Sequence, residues 1–393
     1  MNSIERVKAA IYIKNPDQAP IFNGVKGDVL PLLMIPSKKW RPGWDKNEEE
    51  LFPHAGIEFK WDKPAWAKKN PKYEGNKWRH LPREDIDEWG CIWNMSGRGD
   101  NMGHPGRAVL TDWNNYEEFI SKYYPDPDDK SRYLFAHTLK KSFDNDKYRM
   151  FINTFGLSEL ASKIRGFTNY LMDHRKHPQE LKKLLDHLTE YHLKVMKMSF
   201  KYGLEPHGFW LSDDLGEQLG PFFSPKVFNK FYEPVYRTIF DEAHNMGCEY
   251  HIHCCGKIDR LIPSLIEWGL DAIELDSPRM SGYPDLKPHR GKIMMWGCVN
   301  IQSIYSQGTP EECEREVWHM VRNLGTKEGG FGAYFYPQPD VIKVSRKNIR
   351  AFERGLKKYS VYSEIPAHWW DYPVVSEWKA DVVPPLPLMD PIE

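Results

Sequence analysis

The chain is short of the features that would send it to a membrane, out of the cell or onto nucleic acid. Nowhere in its 393 residues do 18 apolar residues run together, so no transmembrane helix is expected. The opening Met1-Asn2-Ser3-Ile4-Glu5-Arg6 begins an amphipathic helix and has no apolar core of the kind a signal peptide needs. An excess of either charge is also missing. The 54 Lys and Arg offset 55 Asp and Glu, which argues against a polyanion such as nucleic acid as partner. Cysteine is sparse: six in so long a chain, two of them adjacent, do not make a disulfide framework. A reducing cytoplasm with thiols free for metal or redox work is the expected setting. Internal repeats, low-complexity tracts, a Gly-rich phosphate loop and a Ser-His-Asp arrangement with recognisable spacing are all absent.

Aromatic residues, in contrast, are abundant, with 15 Trp, 20 Tyr and 19 Phe. Trp40, Trp44, Trp61, Trp66, Trp78, Trp89 and Trp93 crowd the first quarter, where residues 36–110 are rich in Pro, Gly and Trp. Such surface can cover a flat organic ligand. Its ordinary use is to pack a loop-rich segment that has few aliphatic residues. This stretch reads as an irregular insertion or cap.

The C-terminal half alternates strand and helix signals. Gly208–Asp214 reads as a strand ending in acids, and Ser224-Pro225 caps a helix that stops at Gly247. Glu249–Gly256 reads as a strand, 257–268 as a helix, and Ala272–Asp276 as a short strand ending in acid. Lys292–Gly297 and Phe331–Tyr336 read as the later strands. Between them, Thr309-Pro310-Glu311-Glu312 is a capping box, and Ser345 caps the last clear helix. Earlier, Ile4–Ile13 reads as helix and Ala19–Phe22 as strand. Leu134–Thr138 and Arg149–Phe155 also read as strands, and Pro178 opens a long helix. Strands alternating with helices imply a parallel sheet. Polar residues gathered at strand C-termini suit the active-site face of a (β/α)8 barrel. A single α/β barrel over residues 1–360 is expected, followed by a Pro- and Trp-rich tail, 361–393, packed across a surface.

The chemistry gathers on one strand. Side chains alternate faces along a strand, so His251, His253 and Cys255 should point to the same side. Imidazole and thiolate are preferred zinc ligands, although buried Cys and His also serve as ordinary core residues. His253 and Cys255 are the expected first ligands. Glu217 is the expected third, with His251 as the alternative. Catalytic zinc usually keeps one position open. Asp213, Asp214 and Glu274, at strand ends, are candidate proton donors or orienting carboxylates. Trp210, Asp276, Asn300, Tyr334 and Tyr336 are candidate substrate contacts.

Several runs, in order, resemble the uroporphyrinogen decarboxylase superfamily, which includes corrinoid-dependent methyltransferases. These are Arg6-Val7-Lys8-Ala9-Ala10 with Asn15–Ile21, and Asp173 with His177-Pro178-Gln179-Glu180-Leu181. Asp213-Asp214-Leu215-Gly216-Glu217-Gln218 with Ser224-Pro225-Lys226-Val227-Phe228 follows, then His253-Cys254-Cys255-Gly256, Gly269–Ala272 and Gly297–Asn300. Each run is weak alone; their order and spacing together are specific. The resemblance implies a (β/α)8 barrel and is closer to the methyltransferases than to the decarboxylases. The decarboxylases carry an early Arg-Gln-Ala-Gly-Arg-like loop, whereas Arg79, Arg83, Arg98 and Arg107 are scattered here. In the methyltransferases, the "H-x-C" pair binds zinc, which maps onto His253 and Cys255. Members acting on coenzyme M add a late cysteine after a Gly-Gly pair. Here Gly329–Pro339 has none, which speaks against a thiol acceptor.

What the resemblance implies is transfer of a methyl group from a small methylated donor, with an aromatic methyl ether favoured, to the cobalt of a corrinoid. The cobalamin-carrying signature Asp-x-His-x-x-Gly is missing: Asp241–Gly247 has one residue too many and lies in an expected helix. A separate corrinoid protein is therefore the expected partner, and a homodimer is implied by the resemblance alone. Two alternatives stay open: a metal-free decarboxylase-like lyase, and a non-catalytic barrel subunit.

Overall fold

The period-two pattern of residues 249–254 is borne out in a computed structural model that describes residues 1–23, 27–37, 51–54, 65–75, 80–97, 103–143, 146–373 and 382–386. Eight strands form one sheet: β1 (Ile21–Phe22), β2 (Val29–Leu33), β3 (Tyr148–Phe155), β4 (Gly208–Ser212), β5 (Glu249–Cys254), β6 (Ala272–Leu275), β7 (Met294–Gly297) and β8 (Phe331–Tyr334). Their order is β1-β8-β7-β6-β5-β4-β3-β2. The pairs from β3 through β8 to β1 are parallel. The two end strands are consecutive in the chain and are stitched together by Asp28. Its N–H donates to the Ile21 carbonyl at 2.7 Å, and its Oδ2 accepts the Ile21 N–H at 2.9 Å. The result is a nearly closed α/β barrel.

The chain divides into two compact units: residues 1–32, 138–156 and 204–393 form the first, and 33–137 with 157–203 form the second. In the first unit, α1 (Ser3–Ile11) starts with a capping box between Asn2 and Glu5. Arg6 then pairs with Asp17 at 2.7 Å and Asp28 at 2.6 Å, tying the helix to the start of β2. The second unit holds the long helix α2 (Pro178–Lys201) and a four-stranded sheet built around the hairpin Pro82–Ile86 and Ile92–Ser96. Buried Asp87 organises the hairpin turn. It accepts the N–H groups of Trp89 and Cys91 and the Trp93 indole N–H, at 2.8–2.9 Å. Trp89 and Trp93 are both buried. Trp40, Trp44, Trp61, Trp78, Arg79, Arg98 and the Trp66 side chain lie outside the described residues.

Returning to the first unit, α3 (Pro225–Asn245), α5 (Pro310–Leu324) and α6 (Arg346–Tyr359) begin at the caps expected of Ser224, Thr309 and Ser345. The helix after β5 is shorter than expected. It is α4 (Ile262–Trp268), because residues 257–261 turn first and the Lys257 N–H is spent on the Glu217 carbonyl at 2.8 Å. One strand assignment is corrected: Leu134–Thr138 is the start of the helix Leu134–Phe143. Asp129 caps the preceding turn through the Ser131 N–H at 2.9 Å. The buried residues Tyr133 and Ala136 are three apart, a helical spacing that the consecutive apolar residues disguised. The tail's Trp369 and Trp370 carbonyls accept from Arg322 of α5 at 3.1 and 3.4 Å, so the tail packs on that helix.

Glycines make room inside the barrel. A Cβ at Gly332 on β8 would lie 2.4 Å from the Trp296 ring of β7, which fills the interior with no exposure. A Cβ at Gly208 would lie 2.2 Å from the Tyr148 hydroxyl, which passes there to reach Glu249 at 2.8 Å. Tyr148 also meets His251 Nε2 at 3.1 Å, and Trp296 donates its indole N–H to His251 Nδ1 at 3.2 Å. Replacing Gly332 with Ala should cost about 1–3 kcal/mol by overpacking. Urea unfolding would show this as a lowered midpoint with unchanged slope; an unchanged midpoint would refute this account of the interior.

Candidate functional site

Three neighbouring strands, β4, β5 and β6, end in donor groups, and their parallel register brings the groups together. His253 pairs with Ser212 on one side and Glu274 on the other. Inward alternation on β5 runs His251, His253, Cys255, while Tyr250 and Cys254 face outward: Tyr250 packs on Phe240 of α3 with ring centroids 5.1 Å apart. On β6 the inward positions are Glu274 and, just beyond the strand, Asp276.

His253 is held from both sides. Its Nδ1 is hydrogen-bonded to Glu274 Oε2, and its Nε2 lies 3.1 Å from Cys255 Sγ. The Cys255 thiol also reaches Asp276 Oδ2 at 3.3 Å, and its backbone N–H donates to Asp214 Oδ1 at 2.8 Å. Two sets of donor atoms lie within 4.8 Å of one another: Asp214, His253 and Cys255, and His253, Glu274 and Asp276.

Burial sets the electrostatics. Glu274, with no exposure, is pushed up to about 8 by desolvation, against the pull of His253. Burial likewise raises Asp276 and carries the Cys255 thiol well above its ordinary value, with His253 opposing in both cases. For His253 burial favours the neutral ring, but Cys255, Glu274 and Asp276 outweigh it and hold the imidazole well above the usual histidine range.

The cluster fits a metal in its donor chemistry. Glu274 Oε1 and Asp276 Oδ1 are buried and have no hydrogen-bond partner among the described residues, so two acceptor atoms stand ready at the same place. Imidazole, thiolate and carboxylate oxygen are all zinc donors. Asp214, His253 and Cys255 form one set that could hold such an ion, with Asp276 beside it against the Cys255 thiol and Glu274 orienting the imidazole from behind.

Not every expected residue joins. Asp213 is fully buried and accepts the Tyr236 hydroxyl of α3, and a Cβ on Gly156 would lie 2.2 Å from its Cγ. Adjacent strand-end residues point opposite ways, so Asp214 turns toward Cys255 and Asp213 turns away from it. Glu217 is exposed on a turn closed by its N–H to the Gly220 carbonyl at 2.9 Å, and belongs to neither donor set. His251, the alternative ligand, is engaged by Tyr148 and Trp296 one layer deeper, and burial lowers it to about 4. Asn300 is buried and accepts the Gln302 N–H at 2.9 Å, organising the turn after β7.

Below the cluster lies an aromatic wall. Trp210 and Tyr334 stack with centroids 5.9 Å apart and planes 15° apart, and the Trp210 ring lies 6.0 Å from that of His253. Phe22 of β1, not anticipated from the sequence, meets Trp210 edge-on at 5.1 Å and Tyr334 at 5.3 Å. Tyr336 is half-buried beyond β8. Cys298, also missed, is fully buried and feels Asp276 and Glu274; the alternation Met294, Trp296, Cys298 along β7 and one residue past it would have found it.

The barrel with its donor cluster at the C-terminal strand ends is the class of architecture the sequence implied. The chain belongs to the uroporphyrinogen decarboxylase family: the model of Uroporphyrinogen decarboxylase (URO-D) matches residues 136–333, just over half of it. A methylated-thiol–coenzyme M methyltransferase of Methanosarcina mazei is 21% identical over 199 residues, which are 51% of this chain and 50% of that protein. The chain thus spans about half the length of that curated relative. A solved structure of a methyltransferase from Methanosarcina mazei matches with a TM-score of 0.53 at 13% identity, over 91% of this chain and 99% of the other. That likeness shows the shared fold. The resemblance to the methyltransferase side of the family stands. Among the described residues, no helix is long and apolar enough to cross a membrane.

The site depends on a close backbone crossing: a Cβ on Gly256 would lie 2.2 Å from the Gly216 carbonyl oxygen. Gly256→Ala should push the β5 terminus away from the β4 loop that carries Asp214. A stability loss of about 1–3 kcal/mol is expected from such overpacking. Calorimetric unfolding would measure it, and wild-type stability in the variant would contradict the crossing.

Proposed function

We propose that this protein is a methyltransferase that moves a methyl group from a small methylated donor, an aromatic methyl ether, to the cobalt of a corrinoid held by a separate protein. The observation that carries the reading is the convergence of Asp214, His253 and Cys255, overlapping at His253 with a second set, Glu274 and Asp276, whose Oε1 and Oδ1 are buried without a partner among the described residues. Family membership and the methyltransferase relatives support the reaction class. The aromatic wall of Trp210, Tyr334 and Phe22 supports a flat donor. Gly329–Pro339 contains no cysteine, a departure from the pattern in which a second thiolate completes the site.

Zinc held by these residues would supply a Lewis acid for the negative charge that develops on the donor's oxygen. The chain's own residues do the rest. Glu274, hydrogen-bonded to His253 Nδ1, would fix the ring so that Nε2, 3.1 Å from Cys255 Sγ, is the nitrogen turned toward the metal. Asp214 fixes the backbone at Cys255 and so the direction of its sulfur. Trp210 and Tyr334 hold the ring of the donor and keep water from its face.

A second reading has one observation behind it. Glu274 is fully buried against His253, and that burial pushes its carboxyl up to about 8, which suits a general acid in a metal-free lyase.

The first test is the zinc content of anaerobically purified protein. Near-stoichiometric zinc is expected in the wild type and in Glu217→Ala, with loss in Cys255→Ser and His253→Ala. Transfer from methoxylated aromatics to cob(I)alamin should fall at least a hundredfold in His253→Ala. A well-folded wild type that stays metal-free when zinc is supplied would sink the metal reading and favour acid–base chemistry at Glu274. Separately, Glu274→Gln should weaken zinc binding about 10–100-fold, the usual effect of losing an orienting partner. Unchanged affinity in that variant would leave Glu274 without an orienting role.

A further inference from the structure

Three residues of the donor cluster lie on loops, past the ends of their strands. Asp214 is on the loop after β4, Cys255 on the loop after β5, and Asp276 opens the loop after β6. Lys257, two residues past Cys255, bonds to both of the other loops. Its backbone N–H donates to the Glu217 carbonyl, on the loop that carries Asp214, at 2.8 Å. Its ammonium donates to the Ser281 carbonyl, on the loop that carries Asp276, at 3.0 Å, and pairs with Asp285 at 2.9 Å. These bonds fall where the sheet has stopped. The β5–β6 ladder ends at Cys254 and Leu275, one residue short of Cys255 and Asp276. Beyond that pair the ladder no longer sets the 3.3 Å between the Cys255 thiol and the Asp276 carboxylate. The segment from Asp276 to Gly282 is folded tightly enough to pass a displacement along. Met280 N–H donates to the Ser277 carbonyl at 2.8 Å, and Gly282 N–H to the Pro278 carbonyl at 3.0 Å. The same segment is anchored to α5, where Glu316 Oε1 accepts Arg279 Nε at 2.8 Å and the Tyr283 hydroxyl at 2.7 Å. It is thus held by a helix on one side and by Lys257 on another.

We infer that Lys257 is a positioning residue: it clamps together the three loops that bring Asp214, Cys255 and Asp276 to one place, and it acts on Asp276 through the Ser281 carbonyl. The inference deepens the metal-site reading and rests on it for its consequence, because a bound ion needs ligand distances good to about 0.2 Å. The bond to Ser281 matters more than the pair with Asp285. Asp285 is half exposed, and exposed ion pairs contribute little. Ser281 is buried, and a charged donor makes the stronger kind of hydrogen bond to its carbonyl.

Two variants separate the clamp from an ordinary surface ion pair. Lys257→Met keeps the apolar stem and the backbone bond to Glu217 but removes the ammonium; Asp285→Asn removes the exposed pair and leaves the bond to Ser281. Hydrogen exchange of the metal-free full chain, read by mass spectrometry, would follow the amides of Met280 and Gly282 and that of Cys255, which donates to Asp214 at 2.8 Å. In Lys257→Met all three should exchange about tenfold faster, as a local opening becomes easier, while β7 and β8 keep wild-type rates. Asp285→Asn should match the wild type. With cobalt(II) as the probe ion, the visible absorption bands should shift in Lys257→Met and stay in place in Asp285→Asn. Zinc affinity, measured by competition with a chelator, should fall about tenfold in Lys257→Met. Faster exchange at Met280 and Gly282 without a change at Cys255 would mark a local loop contact and overturn the inference. Equal effects of the two variants, the same acceleration throughout β7 and β8, or an unchanged cobalt(II) spectrum in a Lys257→Met protein that binds the ion would overturn it too. A wild type that takes up neither zinc nor cobalt, with the exchange pattern as expected, would remove the metal reading and leave the clamp standing.

Discussion

The site depends on the hydrogen bond between Glu274 and His253. It crosses from β6 to β5 at a pair of residues that the parallel register sets side by side. Without that partner the imidazole could turn about its own bond and carry Nε2 away from Cys255. With it, the ring has one orientation and Nε2 stays 3.1 Å from Cys255 Sγ. Everything else at the barrel mouth is arranged around that constraint. Asp214 grips the backbone of Cys255, and Asp276 accepts its thiol. Trp210 lies under the ring, at 6.0 Å between centroids.

The constraint works because the barrel beneath is full. Trp296 occupies the interior against Gly332, and the chain of contacts from Glu249 through Tyr148 to His251 closes the layer below. A histidine that lies on the same face of the same strand as His253 is thereby given a different task. His251 accepts from Trp296 and meets the Tyr148 hydroxyl, so neither nitrogen faces the mouth. Two residues along a strand separate a core histidine from a candidate ligand, and the difference lies in what the neighbouring strands present to each.

This explains how much of the site the sequence discloses. Period-two alternation puts His253 and Cys255 on one face without knowledge of any other strand. The caps at Ser224, Thr309 and Ser345 mark helix starts through local bonds, so those boundaries are legible too. The remaining donors come from β4 and β6, and their contribution depends on register, which no local pattern encodes. Glu217 looked suitable because it follows the acidic end of β4, yet Gly216 and Pro221 fold the chain into a bridge that turns it outward. Of the adjacent acids Asp213 and Asp214, sequence alone cannot choose the inward one. The glycine at 156 leaves room for Asp213 and the Tyr236 hydroxyl donates to it, which decides the matter. Leu134–Thr138 misled for a related reason: consecutive apolar residues fit either period, and the cap at Asp129 settled it.

The missing late cysteine and the surplus of carboxylates are two sides of one arrangement. In the proposed zinc reading a second thiolate would be a soft, strongly donating ligand. Carboxylate oxygens from Asp214 and Asp276 in its place are harder donors that leave the ion a stronger Lewis acid toward oxygen. A donor that leaves as a phenolate needs such help, because oxygen must take up the electron pair of the broken bond. In that reading, ligand choice and leaving-group preference follow from one feature of the sequence: acidic residues at the ends of adjacent strands, at positions whose side chains the barrel turns inward.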